Sequence, residues 1–136
     1  MYLLKEKSDY KIIYDKLKRL LKNSYAPFSK FNVASAVEGG SGNIYYGVNV
    51  ENISFSLTIC AERNAIFHAI SEGEKTIIKV FILSTAKSPI TPCGACRQVI
   101  SEFSKDAKII MFSNDGVNYE EKSIKKLLPD RFDYKV

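Results

Sequence analysis

Ile13, Leu17, Leu20 and Leu21 recur at spacings of three and four between polar residues, which predicts an amphipathic helix over roughly Ser8 to Asn23. Tyr25-Ala26-Pro27 breaks it, because the residue before a proline is driven out of the helical region. Phe31 to Glu38 then reads as a strand with Phe31, Val33, Ser35 and Val37 on one face. Gly39-Gly40-Ser41-Gly42-Asn43 supplies a turn and Ile44 to Val50 a second strand, so the two form a hairpin. Helical spacing returns over Thr58 to Glu72, through Ala61, Ala65, Ala69 and Ile66, Ile70, and stops at Gly73. Thr76 to Ser84 is dense in apolar residues and predicts a buried central strand. After a loop at Pro89 to Pro92, Cys93 to Phe103 reads as a helix and Lys108 to Phe112 as a strand. Asn114-Asp115-Gly116 turns the chain into a short strand near Val117 to Glu120, and Ser123 to Leu128 is a last helix stopped by Pro129. The order α, β, β, α, β, α, β, β, α predicts an α/β fold, a three-layer α/β/α sandwich with a five-stranded mixed sheet. In such sheets the chemistry gathers at the ends of strands and helices.

Composition narrows the function classes. A chain of 136 residues predicts one domain, spanning 1–136. With 46% hydrophobic and 26% charged residues, it is neither disordered nor fibrous. The best apolar run, Ile77 to Leu83, is interrupted by Lys79 and is too short to span a membrane. Met1 to Lys7 lacks the apolar segment of a secretory signal, so a cytoplasmic location is expected. The net charge of +5 raises the question of nucleic acid. Lys11, Lys16, Lys18, Arg19 and Lys22 crowd one helix, and nothing interleaves aromatics with arginines as a base-stacking surface would, so a solvated face is expected. Neither a nucleic-acid nor a membrane partner is expected.

Three cysteines change the picture most. An odd number in such a chain points away from disulfides and towards metal or catalysis. Cys93 and Cys96 lie two residues apart across Gly94-Ala95 at a helix start, and Cys60 opens another helix. Three protein ligands with a fourth position left open make a catalytic zinc. A closed structural zinc and a metal-free cluster are the alternatives that spacing leaves open. The one histidine, His68, is eight residues from Cys60; on one helix that is about 12 Å, too far for a shared ion. Glu62 near the helix start also complements the helix dipole. Arg63 is placed to donate to a thiolate and draw off negative charge.

Cys60-Ala61-Glu62-Arg63 with Pro92-Cys93-Gly94-Ala95-Cys96-Arg97-Gln98 resembles the zinc-dependent cytidine deaminases of the small, homotetrameric type. The likeness extends to Tyr25 to Phe31, Gly47 to Asn52, Thr58 to Gly73, Thr91 to Phe103, and Leu127-Leu128-Pro129 with Phe132. It implies one Zn²⁺ per chain held by Cys60, Cys93 and Cys96, with Glu62 as the catalytic proton shuttle and Arg63 behind the ligands. It also implies ribose contacts from Asn49 and Glu51, ring packing by Phe31, and backbone contacts to the base near Ala61 and Thr91. Phe132 would reach into the site of a neighbouring subunit. The reaction implied is hydrolysis of cytidine and 2′-deoxycytidine to the uridines and ammonia, in pyrimidine salvage, by a homotetramer with sites at its interfaces.

Two positions depart from that pattern. Val33-Ala34 stands where the family commonly has glycine after the valine, and Phe55 stands where tyrosine is common. The Val33-Ala34-Ser35-Ala36 and Gly47-Val48-Asn49-Val50 runs also resemble the blasticidin-S deaminases, so that enzyme or another small-molecule cytosine deaminase is the alternative. Glu51 and Arg63 favour the nucleoside enzyme. A nucleic-acid deaminase and a non-enzymatic zinc module are the readings from other classes.

Overall fold

The computed structural model describes residues 1–134, so the last two residues of the expected 1–136 span lie outside it. The strands are β1 (Tyr2–Leu3), β2 (Val33–Gly39), β3 (Ile44–Val48), β4 (Ile77–Ser84), β5 (Lys108–Phe112) and β6 (Asn118–Ser123). The helices are α1 (Ser8–Leu20), α2 (Ala61–Ser71), α3 (Gly94–Phe103) and α4 (Ile124–Leu127). One sheet runs in the order β1-β6-β5-β4-β2-β3. Only β4 and β5 pair in parallel, so the sheet is mixed, as expected. No helix among the described residues is long and apolar enough to cross a membrane.

The sheet has six strands, not five. The extra one, β1, is two residues long and pairs Tyr2 with Tyr119, their rings stacked 5.2 Å apart. Two residues carry no alternation, so periodicity cannot reveal such a strand. β6 also outruns its expected end at Glu120, because Glu121 and Lys122 lie on it and read as polar sequence.

Both faces of the sheet are covered. On one, α1 packs Tyr10, Tyr14 and Leu17 against Ala34, Ala36, Phe81, Leu83, Ile110 and Phe112. On the other, Ala61, Ala65, Ile66 and Ala69 of α2 and Ile100 of α3 meet Val33, Val37, Val80, Ile82, Ile109 and Met111. β2 is therefore buried on both sides, where the sequence suggested one buried face. Its alternate residues are small, Ala34 and Ala36, because α1 lies over them.

Close approach sets the position of α2. A Cβ on Gly47 would stand 2.5 Å from the Ala65 nitrogen and 2.7 Å from the Ala61 carbonyl oxygen. A side chain there cannot coexist with the helix, so the glycine lets β3 press against the first turns of α2.

Candidate active site

Two helices begin at this site with the same local geometry. Cys60 precedes α2 with φ −69°, ψ 156°, and Cys93 precedes α3 with φ −66°, ψ 168°. Both are extended N-cap residues whose side chains make no capping bond, so their thiols are free to face each other. The sequence places Cys60 at the start of this helix, although the helical spacing runs from Thr58. The helix starts later because Phe55–Leu57 forms a separate 3₁₀ turn and Ile59 pairs with Val50. That bridge carries the chain across the sheet edge and delivers Cys60 to the helix start.

The sulfurs of Cys60, Cys93 and Cys96 lie within 4.8 Å of one another, and Cys60 Sγ is 3.7 Å from Cys93 Sγ. Two zinc–sulfur bonds of about 2.3 Å at a tetrahedral angle separate their sulfurs by about 3.8 Å. The donor set therefore fits zinc. Cys96 is buried, Cys60 half-buried and Cys93 exposed, so the cluster is sealed behind and open in front. His68 lies on α2 away from the thiols, beside Tyr45 and Glu72, in keeping with its exclusion as a ligand.

Electrostatics prepare the thiols. Cys60 is held down to about 5, first because the Cys96 thiol donates to it, and then because Arg63 and Cys93 do. Cys96 is pushed up for the matching reason, being the donor in that pair and buried. Arg63 Nη2 stands 3.5 Å from Cys60 Sγ and 3.4 Å from the Thr58 carbonyl. Its Nε is buried with no hydrogen-bond partner. The guanidinium beside Cys60 suits negative charge on the sulfurs, which offsets the cost of the unmatched N–H.

Glu62 is 4% exposed, and burial pushes its carboxyl up to about 7. A carboxyl so tuned exchanges protons near neutral pH. It lines a cavity of about 740 Å³ together with all the other expected substrate contacts of this chain except Phe132, namely Phe31, Asn49, Glu51, Ala61 and Thr91. Phe132 is 75% exposed and lies outside this cavity, held through its carbonyl by Gln98 Nε2 at 3.3 Å.

Asn49 and Glu51 line the cavity from beyond the end of β3. β3 ends at Val48, so the pair does not share a regular strand face. Asn49 is buried, its Oδ1 accepting from the Val33 N–H at 2.9 Å and from Ser24 Oγ, and its Nδ2 donating to the Phe31 carbonyl at 2.8 Å. Glu51 Oε1 accepts from the backbone N–H groups of Phe28 at 3.0 Å and Ser29 at 3.1 Å, and Oε2 accepts from Ser29 Oγ. The Ser29 hydroxyl, followed by those two N–H groups, holds the Glu51 carboxylate below its ordinary range. These bonds fix the Phe28–Phe31 loop, in which Lys30 takes a left-handed φ of 58°. Phe31 precedes β2 and faces the cavity from this loop.

Sequence reasoning gave no site role to three polar residues of the cavity: Ser29, Thr58 and Arg97. Ser29 and Thr58 sit in irregular segments where no period marks a side chain's direction. Arg97 follows Cys96 directly and reads as an ordinary helix arginine. The two departures from the family pattern leave the cavity intact. Ala34 belongs to the α1 face, and Phe55 meets Phe28 edge to face at 5.6 Å.

Comparison with known proteins agrees with this geometry. Residues 7–113 match the family model described as the cytidine and deoxycytidylate deaminase zinc-binding region. A cytidine deaminase of Sporosarcina psychrophila is 40% identical over 115 residues, covering 85% of each chain. One from Mycoplasma genitalium is 38% identical over 122 residues, covering 88% of this chain and 92% of the other. The crystal structure of the Burkholderia pseudomallei cytidine deaminase superposes with a TM-score of 0.82 at 35% identity, over 89% of this chain and 97% of that one. With its three thiols, a buried glutamate beside them and this likeness along most of its length, the chain belongs to the zinc-dependent cytidine deaminase family.

Proposed function

We propose that this protein is a single-domain nucleoside deaminase that hydrolyses cytidine and 2′-deoxycytidine to the corresponding uridines with release of ammonia, in pyrimidine salvage. The observation that carries the reading is the placement of Glu62, buried and protonatable near neutral pH, in one cavity with Cys60 and Cys93 of the three-thiol cluster. Cys60, Cys93 and Cys96 would hold zinc, which would supply Lewis acidity and lower the pKa of a water molecule at the open position. Glu62 accepts a proton from the attacking water as the water oxygen bonds to C4 of the pyrimidine, and gives that proton to N3. It then takes the proton of the added hydroxyl and passes it to the amino nitrogen, so that the C4–N bond breaks and ammonia leaves. Phe31 packs on the ring, and backbone groups near Ala61 and Thr91 orient the base. Asn49 has one Nδ2 hydrogen beyond its bond to Phe31, and Glu51 is an acceptor, so together they suit a sugar hydroxyl that both accepts and donates. The carboxylate of Glu51 also disfavours a phosphate at that end.

Homotetrameric assembly with shared sites belongs to the same proposal. The exposed side chains of Ile53, Phe55 and Leu57, close in sequence to Glu51, and the exposed Phe132 support it. A cytoplasmic location belongs to it too, supported by three cysteines kept as free thiols.

Ultraviolet-monitored turnover of cytidine, deoxycytidine, cytidine monophosphate, cytosine and blasticidin S tests the reading, on protein of known zinc content. Turnover of both nucleosides at one zinc per chain is expected. Silence on both, at full zinc loading, sinks it. Mixing Phe132→Ala chains with Glu62→Gln chains tests the shared site: recovered turnover is expected if Phe132 acts across an interface.

A further inference from the structure

The segment Ser88–Pro92 carries Thr91 and leads directly into Cys93; Ile90 packs on the core and Pro92 is buried, yet hydrogen bonds hardly fix its backbone. Among the described residues it makes one hydrogen bond to the rest of the chain, from Arg97 Nε to the Pro92 carbonyl at 2.8 Å. The neighbouring bonds fall outside it: Asn114 N donates to the Lys87 carbonyl, and Arg97 N to the Cys93 carbonyl. The same guanidinium donates through Nη1 to the Leu127 carbonyl at 2.8 Å, at the end of α4. Arg97 therefore spans two backbone carbonyls from different parts of the chain, while one side of it lines the cavity.

Both acceptors matter. The Pro92 carbonyl belongs to the peptide whose nitrogen is that of Cys93, so its orientation sets the direction in which Cys93 leaves the backbone. The Leu127 carbonyl is among the last of α4, where helix geometry leaves carbonyls without an internal partner. α4 and the residues after it are gripped by α3 at further points: Gln98 Nε2 donates to the Phe132 carbonyl, and Arg131 Nη1 donates to the Ser101 carbonyl. Among the described residues, only the hydrogen bonds of Arg97 continue from this C-terminal segment into the metal-binding loop.

We infer that Arg97 is a positioning residue that holds the Pro92–Cys93 peptide, and with it the exposed thiol ligand and Thr91, against the C-terminal segment. Only a planar fork with diverging N–H groups serves both carbonyls, and a lysine ammonium reaches one of them at best. Cys93 needs this support more than its partners do. Cys96 is locked inside α3 and buried, and Cys60 has Arg63 at its sulfur. The inference deepens the proposed function and rests on its zinc site.

The test compares Arg97→Lys, Arg97→Gln and Gln98→Ala with the unaltered protein, and adds Phe112→Ala as a variant destabilised on the opposite face of the sheet. Zinc release to a chromophoric chelator, kcat and KM for cytidine, and the melting temperature are read on each. Outer-shell partners of metal ligands are typically worth about 10–100-fold. Both Arg97 variants are expected to release zinc faster and to lose kcat within that range, with a smaller change in KM. Gln98→Ala, which grips the C-terminal segment without touching the loop, keeps the zinc release rate of the unaltered protein. Zinc release unchanged in both Arg97 variants overturns the inference. So does release that merely follows the melting temperature along the line set by Phe112→Ala. If the unaltered protein binds zinc but does not turn over cytidine, the proposed function fails, while the zinc-release comparison still decides the role of Arg97.

Discussion

The two faces of the sheet are built from the same strands and do opposite things. Under α1, Tyr10, Tyr14, Phe81, Phe112 and Tyr119 form a chain of edge-to-face and stacked rings with centroids 5.1–6.4 Å apart. That side is built of packing. The tyrosine hydroxyls there, buried and near Glu121 and Asp115, are pushed towards the protonated form and take no part in the cavity. Under α2 and α3 the core is aliphatic, and the two helices open beside each other with thiols and a carboxyl at their first turns. The difference teaches that one face keeps the sheet rigid so that the other can carry groups which destabilise it. Glu62 buried and Arg63 Nε unmatched are both costs of this kind.

Four substitutions test that division of labour. Glu62→Gln on the chemical face has the largest expected effect: turnover falls by at least about 10²–10⁴-fold, in line with loss of general acid–base transfer in several steps. Its zinc content and melting temperature stay near those of the unaltered protein. Retained activity would break the assignment of the proton shuttle. Next comes Phe112→Ala on the packing face, expected to cost about 3–5 kcal/mol in denaturant unfolding. The rate per folded molecule should hold, and a specific loss of kcat would show that the faces are not separable.

Gly47→Ala lies between the two and sharpens the comparison. Its Cβ meets the backbone of α2 at 2.5 Å, so the helix start must move. A cost of about 1–3 kcal/mol is expected, together with weakened zinc binding, because Cys60 and Glu62 move with α2. Equal loss of stability without loss of zinc would mean the helix yields elsewhere.

The smallest effect is on pH dependence. Glu74 accepts hydrogen bonds from Ser41 Oγ, from Tyr45 Oη at 2.7 Å and from the Ser41 N–H at 3.1 Å. The Ser41 hydroxyl first, then Tyr45, holds its carboxyl below the ordinary value. A carboxylate depressed on folding stabilises above its unfolded pKa of about 4.3, and that contribution fades as pH falls through the folded value. The melting-temperature gap between the unaltered protein and Glu74→Gln should therefore be widest near pH 7 and shrink below about pH 4. A gap independent of pH would mean that packing, not charge, holds this turn.

Much of this was legible in the chain. The long helix at Ser8, the hairpin, the central strand at Ile77 and the helix after Cys93 follow from apolar spacing. The thiol set follows from three cysteines, two of them in one short motif. Less legible were the places where local pattern is weak. β1 has two residues and no period. The start of α2 depends on Ile59 pairing with Val50, a contact between segments that spacing within the helix cannot reveal. Asn49 and Glu51 line the cavity from an irregular stretch, where no period marks a side chain's direction; the family resemblance, not the strand pattern, singled them out.

The sequence by itself determined which groups are present and which of them are near neighbours. Cys93 and Cys96 are brought together by a helical turn, and Glu62 follows Cys60 by two residues, so their proximity costs no long-range closure. Tertiary structure alone decided that Cys60 meets Cys93, 33 residues away, with sulfurs 3.7 Å apart. It decided that Glu62 is dry enough to stay protonatable, and that Arg97 bridges the Pro92 and Leu127 carbonyls rather than facing water. The physical reason is that periodicity reports which side of an element is apolar. The dielectric around a charge, and the partner of a buried donor, depend on the other elements that close over it.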